Sequence, residues 1–376
     1  MFYKNARIFG PDLQFHTGAF EVKNGRFGKV LPDTAPKNAV DLSGATVIPG
    51  LVDIHTHGCA GAEFAAGDTN ALKTMAQHFL AQGVTSFLPT AMTAPPETLE
   101  KAFREAARWT EKTPAGCARV LGVRMEGPCL STSKKGAQKE TFLKAPDFKE
   151  FKKLFDSCGC IRMIDLAPEL PGAAEFMEHA ETLCAVSLAH TTADYETAKL
   201  AFSKGASHLT HLFNAMPGIH HRDPGVIPAA VENPKVRAEL ICDGIHVHPA
   251  MVRFAFSLFG GRRMVLVSDS GACCGLPEGS FFSLGGQQAT LHKGAGRLPD
   301  GTIACAATDL YQSMVNAIFY GVEEADAVRA ATYNPACAIH MQDRIGSIAP
   351  GKLADFIICR RDYTGKRIFL SGKEIH

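Results

Sequence analysis

The sequence of 376 residues lacks any run of about 18 apolar residues, the length that a membrane-spanning helix needs. Its first residues, Met1-Phe2-Tyr3-Lys4-Asn5, also lack the basic segment and the apolar segment of a secretory leader. We therefore expect a cytoplasmic protein that has no membrane partner.

An excess of charge of either sign is missing as well. The 39 lysines and arginines face 38 aspartates and glutamates, which gives a net charge of +1 at pH 7. A nucleic-acid binder would show a basic stripe, so we expect no nucleic-acid partner. The 12 cysteines are scattered, and the pairs Cys158/Cys160 and Cys273/Cys274 lack the spacing of a zinc knuckle. Their apolar surroundings are typical of buried thiols in a reducing compartment.

The middle of the chain alternates between strand patterns and helix patterns. Apolar and β-branched runs predict eight strands, at 45–57, 84–91, 118–127, 161–168, 185–190, 206–213, 236–243 and 264–270. Capping residues and apolar stripes predict helices that begin near Asp68, Pro95, Tyr195 and Pro249. Eight such units favour an α/β fold, a parallel (β/α)8 TIM-type barrel. A doubly wound open sheet is the alternative, but no Gly-x-Gly-x-x-Gly follows the first strand.

Both ends of the chain show β patterns. Asn24-Gly25 between two apolar runs predicts a hairpin with a type I′ turn. Near the other end, residues 353–359 and 367–370 have the composition of strands. We expect a small β-sandwich built from residues 1–46 and 346–376, flanking a barrel of residues 47–345.

Polar residues follow most of the predicted strands. His55 and His57 end the first strand, and side chains two apart in a strand point to the same side. Taken singly, such residues are surface histidines, helix caps or salt-bridge partners. Together they predict a metal site, because the carboxyl ends of the strands carry the chemistry of a barrel. The other strand-end residues are Glu126, His190, His211, His246 and Asp269.

Imidazole and carboxylate ligands without thiolate suit Zn²⁺ or Fe²⁺. Glu126, His190 and His211 supply three ligands and leave a position open for water, as in catalytic sites. His55 and His57, sharing Glu126 and Asp269, give a second candidate site. A water bound at such an ion has a pKa of about 7, and Asp269 is then the candidate general base and acid.

Several motifs together carry a resemblance. The chain resembles the amidohydrolase superfamily and, within it, the N-acetylglucosamine-6-phosphate deacetylases. The most specific motif is Thr-His-Leu-Phe-Asn-Ala-Met-Pro at 210–217, whereas Pro-Gly-Lys-Leu-Ala-Asp at 350–355 occurs across the superfamily. The others lie at 49–58, 125–128, 189–191, 243–247 and 267–269.

The resemblance implies a homodimer that hydrolyses the N-acetyl group of an amino-sugar phosphate and releases acetate. It implies that Glu126, His190 and His211 are metal ligands and that Asp269 is the acid and base. It also implies substrate contacts, by His246, by the backbone of Asn214 and Ala215, and by Arg222, which reaches the phosphate from the neighbouring subunit. A planar guanidinium suits a bidentate contact with phosphate.

Two positions depart from the family pattern. Gln138 stands where the family usually has a histidine that contacts the sugar phosphate, and glutamine carries no charge. Asp309 adds an acidic residue before the last barrel helix, where we expect it to repel a nearby phosphate. Both departures predict a shifted substrate, such as another N-acyl hexosamine or hexosamine phosphate.

Two further functions stay open at this point. A cyclic-amide hydrolase would usually carry a carbamylated lysine at the end of strand four, where this chain has Asp165-Leu166-Ala167-Pro168-Glu169. A non-catalytic sugar-phosphate-binding relative would be expected to lose metal ligands first, and this chain retains all of them together with Asp269.

Overall fold

The computed structural model describes residues 1–31 and 35–375. The two predicted end segments, 1–46 and 346–376, include residues 32–34 and 376, which lie outside the described residues. In chain order the strands are β1 (Phe2–Phe9), β2 (Phe15–Lys23), β3 (Arg26–Val30), β4 (Val40–Asp41), β5 (Thr46–Pro49), β6 (Leu51–Thr56), β7 (Gly58–Cys59), β8 (Ala62–Glu63), β9 (Val84–Ala91), β10 (Arg119–Val120), β11 (Val123–Glu126), β12 (Ile161–Leu166), β13 (Ala185–Leu188), β14 (Ala206–Leu209), β15 (Arg237–Ile241), β16 (Met264–Val267), β17 (Phe281–Leu284), β18 (Gln287–His292), β19 (Ala295–Arg297), β20 (Ile303–Ala306), β21 (Phe356–Cys359), β22 (Arg367–Leu370) and β23 (Lys373–Ile375).

The α-helices are α1 (Thr69–Gln82), α2 (Pro96–Glu111), α3 (Phe148–Cys158), α4 (Ala173–Ala180), α5 (Tyr195–Ser203), α6 (Val226–Glu232), α7 (Pro249–Phe259), α8 (Leu310–Phe319), α9 (Glu324–Ala331) and α10 (Tyr333–Ala338). Short 3-10 turns span Phe64–Ala66, Thr132–Lys134 and Glu140–Phe142. The predicted caps are present at α1, where Asp68 accepts from the Asn70 N–H and Gly83 ends the helix at φ 97°. Within the described ranges, no helix combines the length and the apolar character that a membrane crossing requires.

Eight parallel strands form the predicted barrel. They follow one another in the order β6, β9, β11, β12, β13, β14, β15 and β16, and β10 adds a short pairing beside β9. The ring closes between its first and last strands, where Asp269 N donates to His55 O at 2.9 Å and Thr56 bridges to Ser270 in parallel. The prediction of a (β/α)8 barrel is confirmed, and each predicted strand contains one of these eight.

The predicted first strand at 45–57 is wrong in one respect, because it is two strands in two sheets. β5 pairs with β1 and β21, whereas β6 pairs with β9 in the barrel. Gly50 separates them, and a Cβ there would lie 2.3 Å from Thr85 Oγ1. Only glycine permits so close an approach of backbone to side chain, so the chain leaves one sheet and enters the other within a single residue.

Both chain ends share the other large sheet, as predicted. Its order is β23, β22, β21, β5, β1, β2 and β3, with β4 beside β1. The hairpin between β2 and β3 has Asn24 at φ 52° and Gly25 at φ 73°, the backbone of the expected type I′ turn. Aromatic rings fill this sheet's core, with those of Phe356 and Phe369 stacked 4.4 Å apart. Where the domain boundaries lie stays a prediction.

A four-stranded antiparallel sheet, β17 to β20, was missed by the sequence analysis. It lies between β16 and α8 in the chain. Its first hairpin turns at Gly285-Gly286, with φ 56° and 71°. This glycine pair between apolar runs is a hairpin signal that could have identified the insert.

The barrel interior holds a buried network of charged groups. The Arg124 guanidinium, fully buried, donates to both oxygens of Asp165 at 2.8 Å and 2.9 Å and to Glu239 Oε1 at 2.6 Å. The second oxygen of Glu239 lies 3.2 Å from Nδ1 of His55. The network therefore links the interior of the barrel to a residue at the end of the first barrel strand.

Arg124→Met tests this network. The variant leaves Asp165 and Glu239 buried without their cation, so we expect a loss of about 3–5 kcal/mol in the free energy of unfolding. Urea titration followed by circular dichroism measures it. The control is Arg104→Met, which removes an exposed pair with Glu100 on α2 and should leave the transition unchanged. Equal effects of the two substitutions would contradict the structural role given to Arg124.

Candidate metal centre

The two histidines at the end of β6 meet Glu126 from the end of β11. His55 Nε2 lies 3.3 Å from His57 Nε2 and 3.4 Å from Glu126 Oε1, and His57 Nε2 lies 3.5 Å from Glu126 Oε2. All three residues are buried, and their ligand atoms are close enough together to hold one ion.

Glu126 also belongs to a second group, with His190 after β13 and His211 after β14. His190 Nε2 lies 3.3 Å from Glu126 Oε1 and 3.2 Å from His211 Nε2. His211 Nε2 lies 3.5 Å from the same carboxylate oxygen. Since the two groups share one carboxylate, the centre has room for one ion or for two. The residues that the sequence grouped as ligands thus lie together, and their ligand role stays a prediction.

The outer ring nitrogens of two of these histidines are bound to backbone carbonyls. His57 Nδ1 lies 3.2 Å from Thr90 O, and His190 Nδ1 lies 2.7 Å from Lys134 O. A carbonyl oxygen only accepts hydrogen bonds, so Nδ1 carries the proton in both rings. The Nε2 lone pairs therefore face the centre, which is the arrangement of metal-bound histidines.

The electrostatics of the centre fit a divalent cation. The Nε2 atoms of His190 and His211 lie 3.2 Å apart, close enough for both rings to bind one cation. Burial and the nearby Arg124 lower the pKa of His55, but carboxylates led by Asp269 outweigh them and raise it to about 10. A site that favours positive charge this strongly suits a metal ion, because metal ions replace protons on such ligands.

The backbone is strained where three strands deliver these residues. His190 has φ 46°, His211 has φ 30° and Asp269 has φ 48°, all in the left-handed region. Each such conformation costs about 1–3 kcal/mol in a non-glycine residue and persists only where the surrounding structure enforces it. Each of the three lies two residues after the end of a barrel strand, where the chain turns away from the strand direction.

The Asp269 carboxylate lies at the same mouth of the barrel. Its Oδ1 is 3.2 Å from His57 Nε2 and 3.5 Å from His55 Nε2. Burial raises the pKa of Asp269, but the charges of His55 and His57 outweigh it and lower the pKa to about 2. The group is therefore ionised at neutral pH, in the form that accepts a proton.

A cavity of about 310 Å³ opens over the centre, and the predicted substrate residues His246, Asn214 and Ala215 line it. His246 Nδ1 lies 2.6 Å from Asp243 Oδ2. Burial alone would lower the pKa of His246, but the hydrogen bond to Asp243 outweighs it and raises the pKa. The ring is thus held in one orientation beside the metal centre.

Sequence reasoning missed two contributors to this cavity. Lys134 is the one lysine or arginine among the described residues that line it, and its Nζ lies 3.5 Å from Met216 O. Residues 302–304, from the β17 to β20 insert, form another wall. The run Lys134-Lys135-Gly136, so close after Glu126, could have drawn attention to the lysine.

The departures from the family pattern have structural explanations. Gln138 lines the cavity, but it is only 2% exposed and its amide is already hydrogen-bonded within the protein. Asp309 caps α8 by accepting from the Gln312 N–H at 2.9 Å, and it does not appear in the described lining of the cavity. The expected repulsion between Asp309 and a phosphate is therefore not supported, because the start of the helix takes up this carboxylate.

Arg222 lies exposed on the loop before α6, with Nη1 2.8 Å from His221 Nε2. Among the described residues, those that line the cavity of the same chain do not include Arg222. Its contact with a phosphate in a neighbouring subunit stays a prediction.

Known proteins resemble this chain over nearly its whole length. The amidohydrolase family model matches residues 46–375. The N-acetylglucosamine-6-phosphate deacetylase of Bacillus subtilis (strain 168) is 34% identical over 85% of this chain and 81% of its own length. The N-acetylgalactosamine-6-phosphate deacetylase of Escherichia coli O157:H7 is 30% identical, over 90% of each chain.

Solved structures agree with these matches. A mutant of N-acetyl-D-glucosamine-6-phosphate deacetylase from Mycobacterium smegmatis, in complex with N-acetyl-D-glucosamine-6-phosphate, has a TM-score of 0.92 and 29% identity. The alignment covers 100% of this chain and 98% of that chain. The chain therefore belongs to the amidohydrolase family of metal-dependent hydrolases and, within it, to the N-acetylglucosamine-6-phosphate deacetylases, as its motifs predicted.

Proposed function

We propose that this chain hydrolyses the N-acetyl group of N-acetylglucosamine 6-phosphate, giving glucosamine 6-phosphate and acetate. The observation that carries the proposal is the convergence of Glu126, His190, His211 and Asp269 beside one cavity, at one mouth of the barrel. The activity named for the Bacillus subtilis relative, and the sugar phosphate bound to the Mycobacterium smegmatis protein, support the same substrate.

The metal in this proposal is zinc, with iron as the second candidate, because imidazole and carboxylate ligands suit both. Glu126, His190 and His211 would hold the first ion, and His55 and His57 would hold a second together with Glu126. When bound, a divalent ion supplies polarisation of the acetyl carbonyl and a lowered pKa of the attacking water.

The chain's own residues move the proton and position the sugar. Asp269 accepts a proton from the attacking water and returns it to the amide nitrogen as the C–N bond breaks. His246, oriented by Asp243, contacts the sugar, together with the backbone of Asn214 and Ala215.

Two cations recognise the phosphate in this proposal. Lys134 stands in the wall of the cavity of its own chain. Arg222 comes from the second copy in a homodimer, where a guanidinium can bind a phosphate through two parallel hydrogen bonds. Gln138, which also lines the cavity, adds no charge.

The proposed substrate also suits a cytoplasmic location. A phosphate ester carries charge and does not cross a membrane unaided. All 12 cysteines of the chain are free, which agrees with a reducing compartment.

The alternatives have less support. The strand that would carry the bridging lysine of a cyclic-amide hydrolase, β12, carries Asp165 instead, and this aspartate pairs with Arg124. A non-catalytic relative would not need Asp269 ionised beside the ligand group. A third candidate substrate is the galactosamine epimer, because the Escherichia coli relative is named for N-acetylgalactosamine 6-phosphate.

Asp269→Asn tests the proton carrier. The amide keeps the shape of the side chain but cannot accept the proton, so kcat should fall by about 10²–10⁴-fold while metal content and KM stay close to the unmodified enzyme. Acetate release and elemental analysis measure the two effects. Asp156→Asn, on the exposed surface of α3, serves as the matched control. Near-normal turnover in the Asp269 variant would remove that residue from the mechanism.

Single ligand substitutions test the two ion sites separately. His190→Ala should lose the principal ion after dialysis, and Glu126→Ala should lose any ion because both sites share that carboxylate. His57→Ala should keep the principal ion and lose only a second ion if one binds. Mass spectrometry of bound metal gives the stoichiometry, with the exposed His16→Ala as control. Full metal content in Glu126→Ala would show that the ligand set is wrong.

A substrate panel tests the proposed chemistry and the role of Arg222. Acetate release should be fastest with N-acetylglucosamine 6-phosphate, slower with the galactosamine epimer and slowest with the unphosphorylated sugars. Arg222→Ala should raise KM at least about tenfold for the phosphorylated substrate, the loss expected for a charge-assisted contact, and leave the unphosphorylated one unchanged. Turnover of cyclic amides without acetate release from any sugar would favour the second candidate function.

A further inference from the structure

The side chain of Gln138 is bound on both sides within the protein. Its Oε1 accepts from Thr93 N and from Thr93 Oγ1, each at 2.8 Å. Its Nε2 donates to Glu126 Oε2 at 2.5 Å. All three residues are at most 3% exposed.

The orientation of this amide follows from its partners. The Thr93 backbone N–H can only donate, so the atom that faces it is the amide oxygen. The NH2 group must then face Glu126, whose carboxylate only accepts when ionised.

The contact divides the two oxygens of Glu126 between two tasks. Oε1 faces the Nε2 atoms of His190 and His211, at 3.3 Å and 3.5 Å. Oε2 carries the hydrogen bond from Gln138 and also lies 3.5 Å from His57 Nε2, on the side of the second candidate site. A partial rotation of the carboxylate about its last bond would break that hydrogen bond, so the amide fixes the plane of the carboxylate and keeps one oxygen directed at the principal ion site.

We propose that Gln138 is a positioning residue that holds the Glu126 carboxylate in the orientation that binds a divalent cation, and that it does not serve chiefly to contact the substrate. This inference rests on the metal site of the proposed function. Partners that hydrogen-bond to metal ligands typically contribute about 10–100-fold to metal affinity.

The test measures metal affinity, and it needs no substrate. Zn²⁺ is titrated into metal-free protein against a chromophoric chelator, for the unmodified chain and for Gln138→Leu. We expect Kd to rise by about 10–100-fold. The visible spectrum of the Co²⁺-loaded variant should also change, because the geometry of a ligand oxygen has changed.

Two further variants separate positioning from general structure. Gln287→Leu is the matched control, since its amide donates at 2.6 Å to the carbonyl of Ala137, the neighbour of Gln138, and should leave Kd unchanged. Thr93→Val removes the hydroxyl that anchors Gln138 while keeping the side-chain shape, and we expect a weaker loss in the same direction. If Gln138→Leu fails to fold, the Kd of Thr93→Val for Zn²⁺ tests the positioning role in its place.

The outcomes distinguish this inference from the proposed function. A Kd within twofold of the unmodified chain, together with a raised KM for the sugar phosphate, would overturn the inference and return Gln138 to the substrate. An equal loss in Gln287→Leu would also overturn it. If the unmodified chain itself binds no divalent ion, the proposed metal site fails, and the inference fails with it.

Discussion

Arg124 connects the interior of the barrel to its catalytic mouth. Its buried guanidinium pairs with Asp165 and Glu239, and Glu239 in turn lies 3.2 Å from Nδ1 of His55. Burying such charges gains little net stability, because the cost of removing them from water offsets their attraction. What the network does give is a defined geometry. Glu239 accepts from the outer nitrogen of His55, so that the inner nitrogen is available to an ion.

Closure of the barrel serves the site as well as the fold. The hydrogen bond that joins the last strand to the first runs from Asp269 N to His55 O, at 2.9 Å. It therefore places the proposed proton carrier beside a proposed ligand. The left-handed backbone at Asp269 then turns its carboxylate towards the histidines. A residue that had only to continue the strand would not need this strained conformation.

The parts of the structure that were predictable depend on local pattern. Apolar runs located the eight barrel strands, and polar residues after them located the candidate metal centre, because parallel strands bring their ends to one rim. The division at Gly50 was not predictable in this way, since β5 and β6 are both buried throughout and show no change of periodicity. The contact between Gln138 and Thr93, 45 residues apart, depends on tertiary structure. Sequence alone could not decide whether that amide would face a phosphate or a carboxylate.

Charge balance explains why the centre needs a cation at all. Around the four proposed ligand histidines lie five buried carboxyl groups, those of Asp53, Glu126, Asp165, Glu239 and Asp269, and one buried guanidinium, that of Arg124. If the imidazoles are neutral, this group carries an excess of negative charge. That excess raises the pKa of His55. A proton on His55 can reduce the excess, but it would occupy a nitrogen that faces the other ligands. One divalent cation reduces it further and leaves that nitrogen free to coordinate.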